Sequence, residues 1–231
     1  MAIDTALTQF AEFMGSEVKR VEGLIPTGGD GTSQPTNSPI IYGVGRPDDR
    51  TTTNGKITGN EPDGTVYISS DGAGVRAWQW IKARGTWQVS YGDTGEVNMS
   101  RLSVNIKSGN IALRRVNNLV QCTFSNGQWD AIYFYGSASP HFVKKSHAKR
   151  MDLLPNSRIP QGFRSTKSIM LPFYGDDGEQ LGAVYVGGLR NYNYIELRFT
   201  GKPPEADMDI VRMPVITWIT DDPFPRSLEV R

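Results

Sequence analysis

Ile111-Ala112-Leu113-Arg114-Arg115-Val116-Asn117-Asn118-Leu119-Val120-Gln121-Cys122-Thr123-Phe124 reads as two strands, 111–116 and 119–124, joined by a two-residue turn. Val120, Cys122 and Phe124 alternate with polar residues, the period-two pattern of a strand with one buried face. Asn117-Asn118 suits the turn, because asparagine tolerates the left-handed backbone that a two-residue hairpin requires. Cys122 is the only cysteine in the chain, which excludes an internal disulfide, and its place on the apolar side predicts a small buried hydrophobe.

The same pattern continues outward. Further strands are expected at 102–107, 128–135, 168–174, 181–186, 194–199 and 215–219, with a turn at Asn126-Gly127. Ile195, Leu197 and Phe199 alternate with Glu196 and Arg198, as in a half-buried antiparallel strand. This density of strands predicts an antiparallel, jelly-roll-like β-sandwich head over residues 100–231. Residues 40–99 predict a smaller Gly/Trp-rich β-module, with strands around 40–42, 65–69, 77–82 and 86–89. Trp78, Trp80 and Trp87 supply it with a compact aromatic core or, on the sharper reading, a platform for sugars.

The N-terminal segment has another period. Ile3, Leu7, Phe10, Met14, Val18, Val21 and Ile25 recur every three or four residues, which predicts a coiled-coil-like helix over 1–26. Asp4 or Thr5 can cap it, and Pro26 with Gly28-Gly29 ends it. Glu17 occupies a position where a strict heptad wants an apolar residue, and Val18 takes over one place later, a stutter. A helix of this length is marginal alone, so Ile3, Leu7, Phe10, Met14 and Val21 read as oligomerisation residues, or as a face docked on the chain's own β-body. Residues 27–39, TGGDGTSQPTNSP, read as a flexible linker. The whole therefore reads as mainly β, with one N-terminal helix.

The totals limit the function. Among 231 residues, Lys+Arg (25) nearly cancel Asp+Glu (24), so no global field draws nucleic acid or an anionic membrane. No apolar run approaches the roughly 18 residues of a membrane span. Two histidines, His141 and His147, share one basic loop, and nothing positions a catalytic triad, a phosphate-binding loop or a metal-ligand cluster. No catalytic residue, cofactor or metal is expected. Asp176-Asp177-Gly178-Glu179 reads as a solvated hairpin tip that lacks the ligand ladder of a calcium loop. The candidate ligand-binding residues lie in two places. Lys144 and Lys145 belong to the densest basic run, 141–150, suited to an anionic partner. Asn191-Tyr192-Asn193 reads as a loop tip whose ring can stack on a sugar while the amides bond its hydroxyls.

Leu153-Leu154-Pro155-Asn156-Ser157-Arg158-Ile159-Pro160-Gln161-Gly162-Phe163-Arg164-Ser165 resembles a segment common in the head domains of bacteriophage tail fibres and baseplate receptor-binding proteins. Ile216-Thr217-Trp218-Ile219-Thr220-Asp221-Asp222-Pro223-Phe224-Pro225 resembles the closing strand and tail of that group. Gly45-Arg46-Pro47-Asp48 and Ser70-Asp71-Gly72-Ala73-Gly74-Val75 are similar to modules of phage fibres from Gram-positive hosts. The resemblance implies a homotrimeric virion protein of the tail tip or baseplate, made in the host cytoplasm and attached to other tail proteins through its N-terminal helix. Its implied role is host attachment by binding a cell-wall saccharide without catalysis. A capsid head-fibre or decoration protein and a glycan depolymerase are the alternatives. The family carries no fixed binding residues to transfer; Pro160, Gly162 and Phe163 match its pattern as a turn followed by a core aromatic.

Overall fold

The computed structural model describes residues 40–49, 57–125, 131–145, 149–188 and 192–228. In chain order its strands are β1 (Ile40–Gly43), β2 (Val66–Ser69), β3 (Ala77–Ala83), β4 (Thr86–Asn98), β5 (Ile106–Ser108), β6 (Asn110–Val116) and β7 (Leu119–Ser125). They continue as β8 (Ala131–Phe134), β9 (Arg150–Leu154), β10 (Ile169–Tyr174), β11 (Gln180–Val186), β12 (Ile195–Phe199), β13 (Met208–Arg212) and β14 (Ile216–Ile219). The strands form two seven-stranded sheets, β1-β2-β3-β4-β6-β7-β14 and β5-β8-β13-β10-β11-β12-β9.

The expected fold class needs correction. Among the described residues there is no α-helix, only a 3-10 turn at Gly72–Gly74, so the architecture is all-β. The expected N-terminal helix, with Ile3, Leu7, Phe10, Met14 and Val21, lies outside the described residues and has no support from the structure. Within the described residues the physical reason for the all-β character is that side chains of the strands and their connections supply both apolar cores. Nor is the pairing that of a jelly roll. β10, β11 and β12 form a meander within one sheet, whereas a jelly roll is built from Greek keys.

The opening hairpin is present as read. Leu113 pairs with Cys122 and Val116 with Leu119 across Asn117-Asn118, and Asn117 takes the left-handed conformation at φ 54°. Val120, Cys122 and Phe124 all point into the main core. That core is shared by both sheets: Ile111, Leu113 and Cys122 of the first meet Phe134, Leu153, Phe173, Val184 and Leu197 of the second. Burying each such side chain stabilises the fold by about 1.5–3 kcal/mol.

β4 is a single 13-residue strand that serves two neighbours. Up to Gly92 it pairs with β3, and from Asp93 onward with β6. The register shifts between Asp93 and Glu96, and Gly95 adopts φ +65° at the bend. Strands on both sides of residue 99 therefore belong to one sheet. The apolar interior nevertheless divides, and a smaller cluster of Ile57, Tyr67, Val75, Ala77, Trp80 and Phe224 lies beyond the bend. Phe224 comes from the C-terminal tail and presses on Gly92, where a Cβ would sit 2.6 Å from its ring.

Two strands, β9 and β13, lie where none is expected from the sequence. β9 is an edge strand in which Met151 and Leu153 turn inward, while Arg150 and Asp152 turn into a charged cluster. β13 is broken by a register shift between Met208 and Val211, with Ile210 at φ 53°, so its apolar residues lose their period.

Candidate functional site

The bend in β4 opens a groove of ≈ 840 Å³ between the smaller core and the C-terminal tail. Its size falls within the range of small-ligand sites. Five stretches distant in sequence build it: Arg46 and Asp48 after β1, Trp80 and Trp87 to Val89 on β3 and β4, Arg115, Asn117 and Asn118 at the β6–β7 turn, Pro160-Gln161, and Asp221–Ser227.

The back of the groove joins the turn around residues 160–164 to the tail around residues 218–224. Asp222 accepts from Arg164 Nε at 2.8 Å and Nη2 at 2.6 Å, and from the Gly162 amide at 2.8 Å. Burial acts to raise the Asp222 carboxyl, but these donors outweigh it and hold the group below its usual range. Trp218 Nε1 donates to the Phe163 carbonyl at 2.9 Å, and Phe163 itself enters the main core. Pro160, Gly162 and Phe163 thus act as a turn and a core aromatic.

Arg115 ties the back wall together. It follows Ile111 and Leu113 on the inward face of β6 and is only 5% exposed. Its Nε donates to the Asn117 carbonyl at 2.5 Å, and Nη1 to the carbonyls of Gly162 at 2.6 Å and Pro223 at 3.0 Å. The guanidinium also lies 5.0 Å from the centre of the Phe224 ring. Burial pushes its pKa down to about 10, a fall that the charge of Asp222 opposes, so it remains a cation at neutral pH.

A second clasp holds the front. Arg46 donates to Asp48 through Nε at 2.8 Å and Nη2 at 3.1 Å, and Arg226 reaches the same carboxylate at 3.0 Å. Arg46 also covers the Trp80 ring at 4.6 Å, which keeps that indole in the core and away from a ligand. Trp87 is half-buried in the groove wall, with Tyr67 edge-on to it at 6.1 Å and Lys82 Nζ 5.4 Å from its ring centre. Beside it Gln88, Asn118 and Gln161 are exposed.

Of the binding residues expected from sequence, Lys144, Lys145, Tyr192 and Asn193 do not line this groove, whereas Trp80 and Trp87, read as an aromatic core or a sugar platform, do. Lys145 bridges Asp152, at 2.5 Å, and the fully buried Glu196, while Arg150 and Arg198 approach Glu196 from its other oxygen. Burial works against the Lys145 ammonium, but Asp152 and Glu196 hold its pKa above the usual value. Lys145 is thus committed to partners within the protein, and Lys144 beside it is exposed. Tyr192 is 58% exposed, as a loop tip requires. Asn193, expected at the same tip, is instead 2% exposed and faces inward, and Asn191 lies outside the described residues. At Asp176–Glu179 the turn between β10 and β11 has Asp176 accepting from Arg212 at 2.6 Å. Among the described residues no cluster of three or more His, Cys, Asp and Glu side chains could hold a metal ion.

One signal in the sequence pointed to the groove. Arg115 shares the parity of Ile111 and Leu113, and a charge on an apolar strand face needs a partner or a function. The rest required knowing that the 160s turn and the tail meet at that point. The chain matches no family model, no curated protein and no solved structure.

Proposed function

We propose that this chain is a non-enzymatic attachment protein that holds a host cell-surface glycan in the groove at the β4 bend. The observation that carries the reading is the half-buried face of Trp87 beside the exposed amides of Gln88, Asn118 and Gln161. An indole face matches the apolar face of a sugar ring, and amides both donate to and accept from its hydroxyls.

The carboxylates favour binding over hydrolysis. Glycoside cleavage uses two carboxyl groups, one of them a raised-pKa acid. Here Asp48 is held by two guanidiniums, and Asp222 is kept ionised by Arg164. The resemblance of 153–165 and 216–225 to phage receptor-binding heads is what supports reading the protein as part of the tail tip or baseplate of a virion. There it works as a homotrimer whose multiple sites offset weak single contacts.

The test is binding of the purified protein to host wall preparations, with the double variant Asn118→Ala/Gln161→Ala. Both side chains are exposed, so folding should be unchanged while affinity falls about tenfold, the loss of one to two net hydrogen bonds. Unaltered binding by the variant would overturn the assignment of the groove. Failure to bind the walls of any susceptible host would overturn the function.

A further inference from the structure

Arg115 is an unusual buried cation. Three main-chain carbonyls hold its Nε and Nη1, and no carboxylate stands at ion-pair distance from it among the described residues. Asp222, whose charge acts on Arg115, is already gripped by Arg164, and Asp48 by Arg46 and Arg226. Asp221 is exposed at the rim. Among the described residues the hydrogen bonds of Arg115 run from Nε and Nη1, none runs from Nη2, and Arg115 lines the groove.

We infer that Arg115 is the anion-recognising residue of the groove, and that its ligand is a saccharide carrying a carboxylate or a phosphate. The inference rests on the groove being the glycan site and adds the class of glycan. A guanidinium held rigidly by carbonyls presents its remaining N–H pair in a fixed direction, so little side-chain entropy is lost when an oxyanion docks. An oxyanion also supplies the countercharge that the fold withholds, and hydrogen bonds between two ionised groups are about twice as strong as neutral ones. The carbonyls have a second effect: they tie the cation to both the 160s turn and the tail, so binding at Nη2 stiffens both walls of the groove together. A uronic acid and a polyol phosphate share this chemistry, and the experiment separates them.

The test uses the whole chain, with the arginine side-chain nitrogen signals followed by NMR and Arg115 assigned by its loss in Arg115→Lys. Four probes are titrated: inorganic phosphate, a glucuronate-containing oligosaccharide, a glycerol phosphate oligomer, and a neutral glucose oligomer of matched length. The inference expects phosphate and at least one acidic oligomer to move the Arg115 signals. That oligomer should bind about tenfold tighter than the neutral one at low salt and lose the preference as salt rises. Whichever acidic oligomer is preferred identifies the anion. R115K keeps the charge but not the fork, and should lower affinity for the acidic oligomer about tenfold more than for the neutral one. If R115K does not fold, the salt-dependent preference of the native chain decides alone. Equal affinity for acidic and neutral oligomers, or Arg115 signals unmoved by every anion, overturns the inference while leaving glycan binding intact. Arg115 signals that respond to phosphate, in a chain that binds none of the oligosaccharides, support the anion site and count against the glycan reading.

Discussion

Two cationic centres among the described residues are solved in opposite ways. On the second sheet, Lys145, Arg150 and Arg198 surround the fully buried Glu196, with Asp152 alongside. At the bend of the first sheet, Arg115 is held by neutral carbonyls. The first centre contains its own countercharge and is complete as a structural unit. The second leaves a positive charge facing a groove. A basic run in a sequence is thus a poor guide to anion binding, because what decides is whether the fold supplies the anion.

Substitution should pull the two centres apart. The largest effect is expected from Glu196→Gln, which leaves three cations around a neutral amide. Breaking a buried ion pair in this way should cost about 3 kcal/mol in urea unfolding, with glycan affinity unchanged. A loss of affinity without a loss of stability would reverse the roles assigned to the two centres. Next is Asp222→Asn, which weakens the charge-assisted bonds to Arg164 and loosens the tail from the 160s turn. It should cost about 2 kcal/mol and, unlike E196Q, should also weaken glycan binding, measured on the same sample by titration calorimetry.

The smallest effect concerns the bend itself. Bonding to Arg114, against the opposing effect of burial, lowers Asp93 from its ordinary value of 3.8 to about 2. The unfolded chain takes up this proton first as pH falls, so the contribution of Asp93 is whole above about pH 4 and is lost progressively towards pH 2. Asp93→Asn should flatten that part of the stability profile followed by circular dichroism. An unchanged profile would show that the Arg114–Asp93 pair does not hold the bend.

Legibility differed sharply between the strands and the groove. The hairpin over 111–124 could be read because side-chain parity, turn residues and burial all agree there. β9 and β13 could not: one carries two charges directed into an ion cluster, and the other has a register shift that erases its period. The aromatic core of the 40–99 region was read correctly for Trp80, whose face Arg46 covers. Trp87 could not be told from it, since each lies in a short alternating strand pattern that looks the same in the sequence. Lys145 was visible as a charge, but Glu196, some fifty residues away on another strand, was not visible as its partner.

Local chemistry in the chain was enough to determine the β character, the Asn117-Asn118 turn, the buried Cys122 and the hairpin tip at Asp176–Glu179, because each depends on neighbours within a few residues. Tertiary structure alone decided that β4 serves two parts of one sheet, that Phe224 returns to close the smaller core, and that Arg115 meets carbonyls from Gly162 and Pro223. Those contacts join residues 47 and 108 positions apart. A linear pattern encodes which face of a strand is apolar, but not which distant backbone will arrive to satisfy a charge placed on that face.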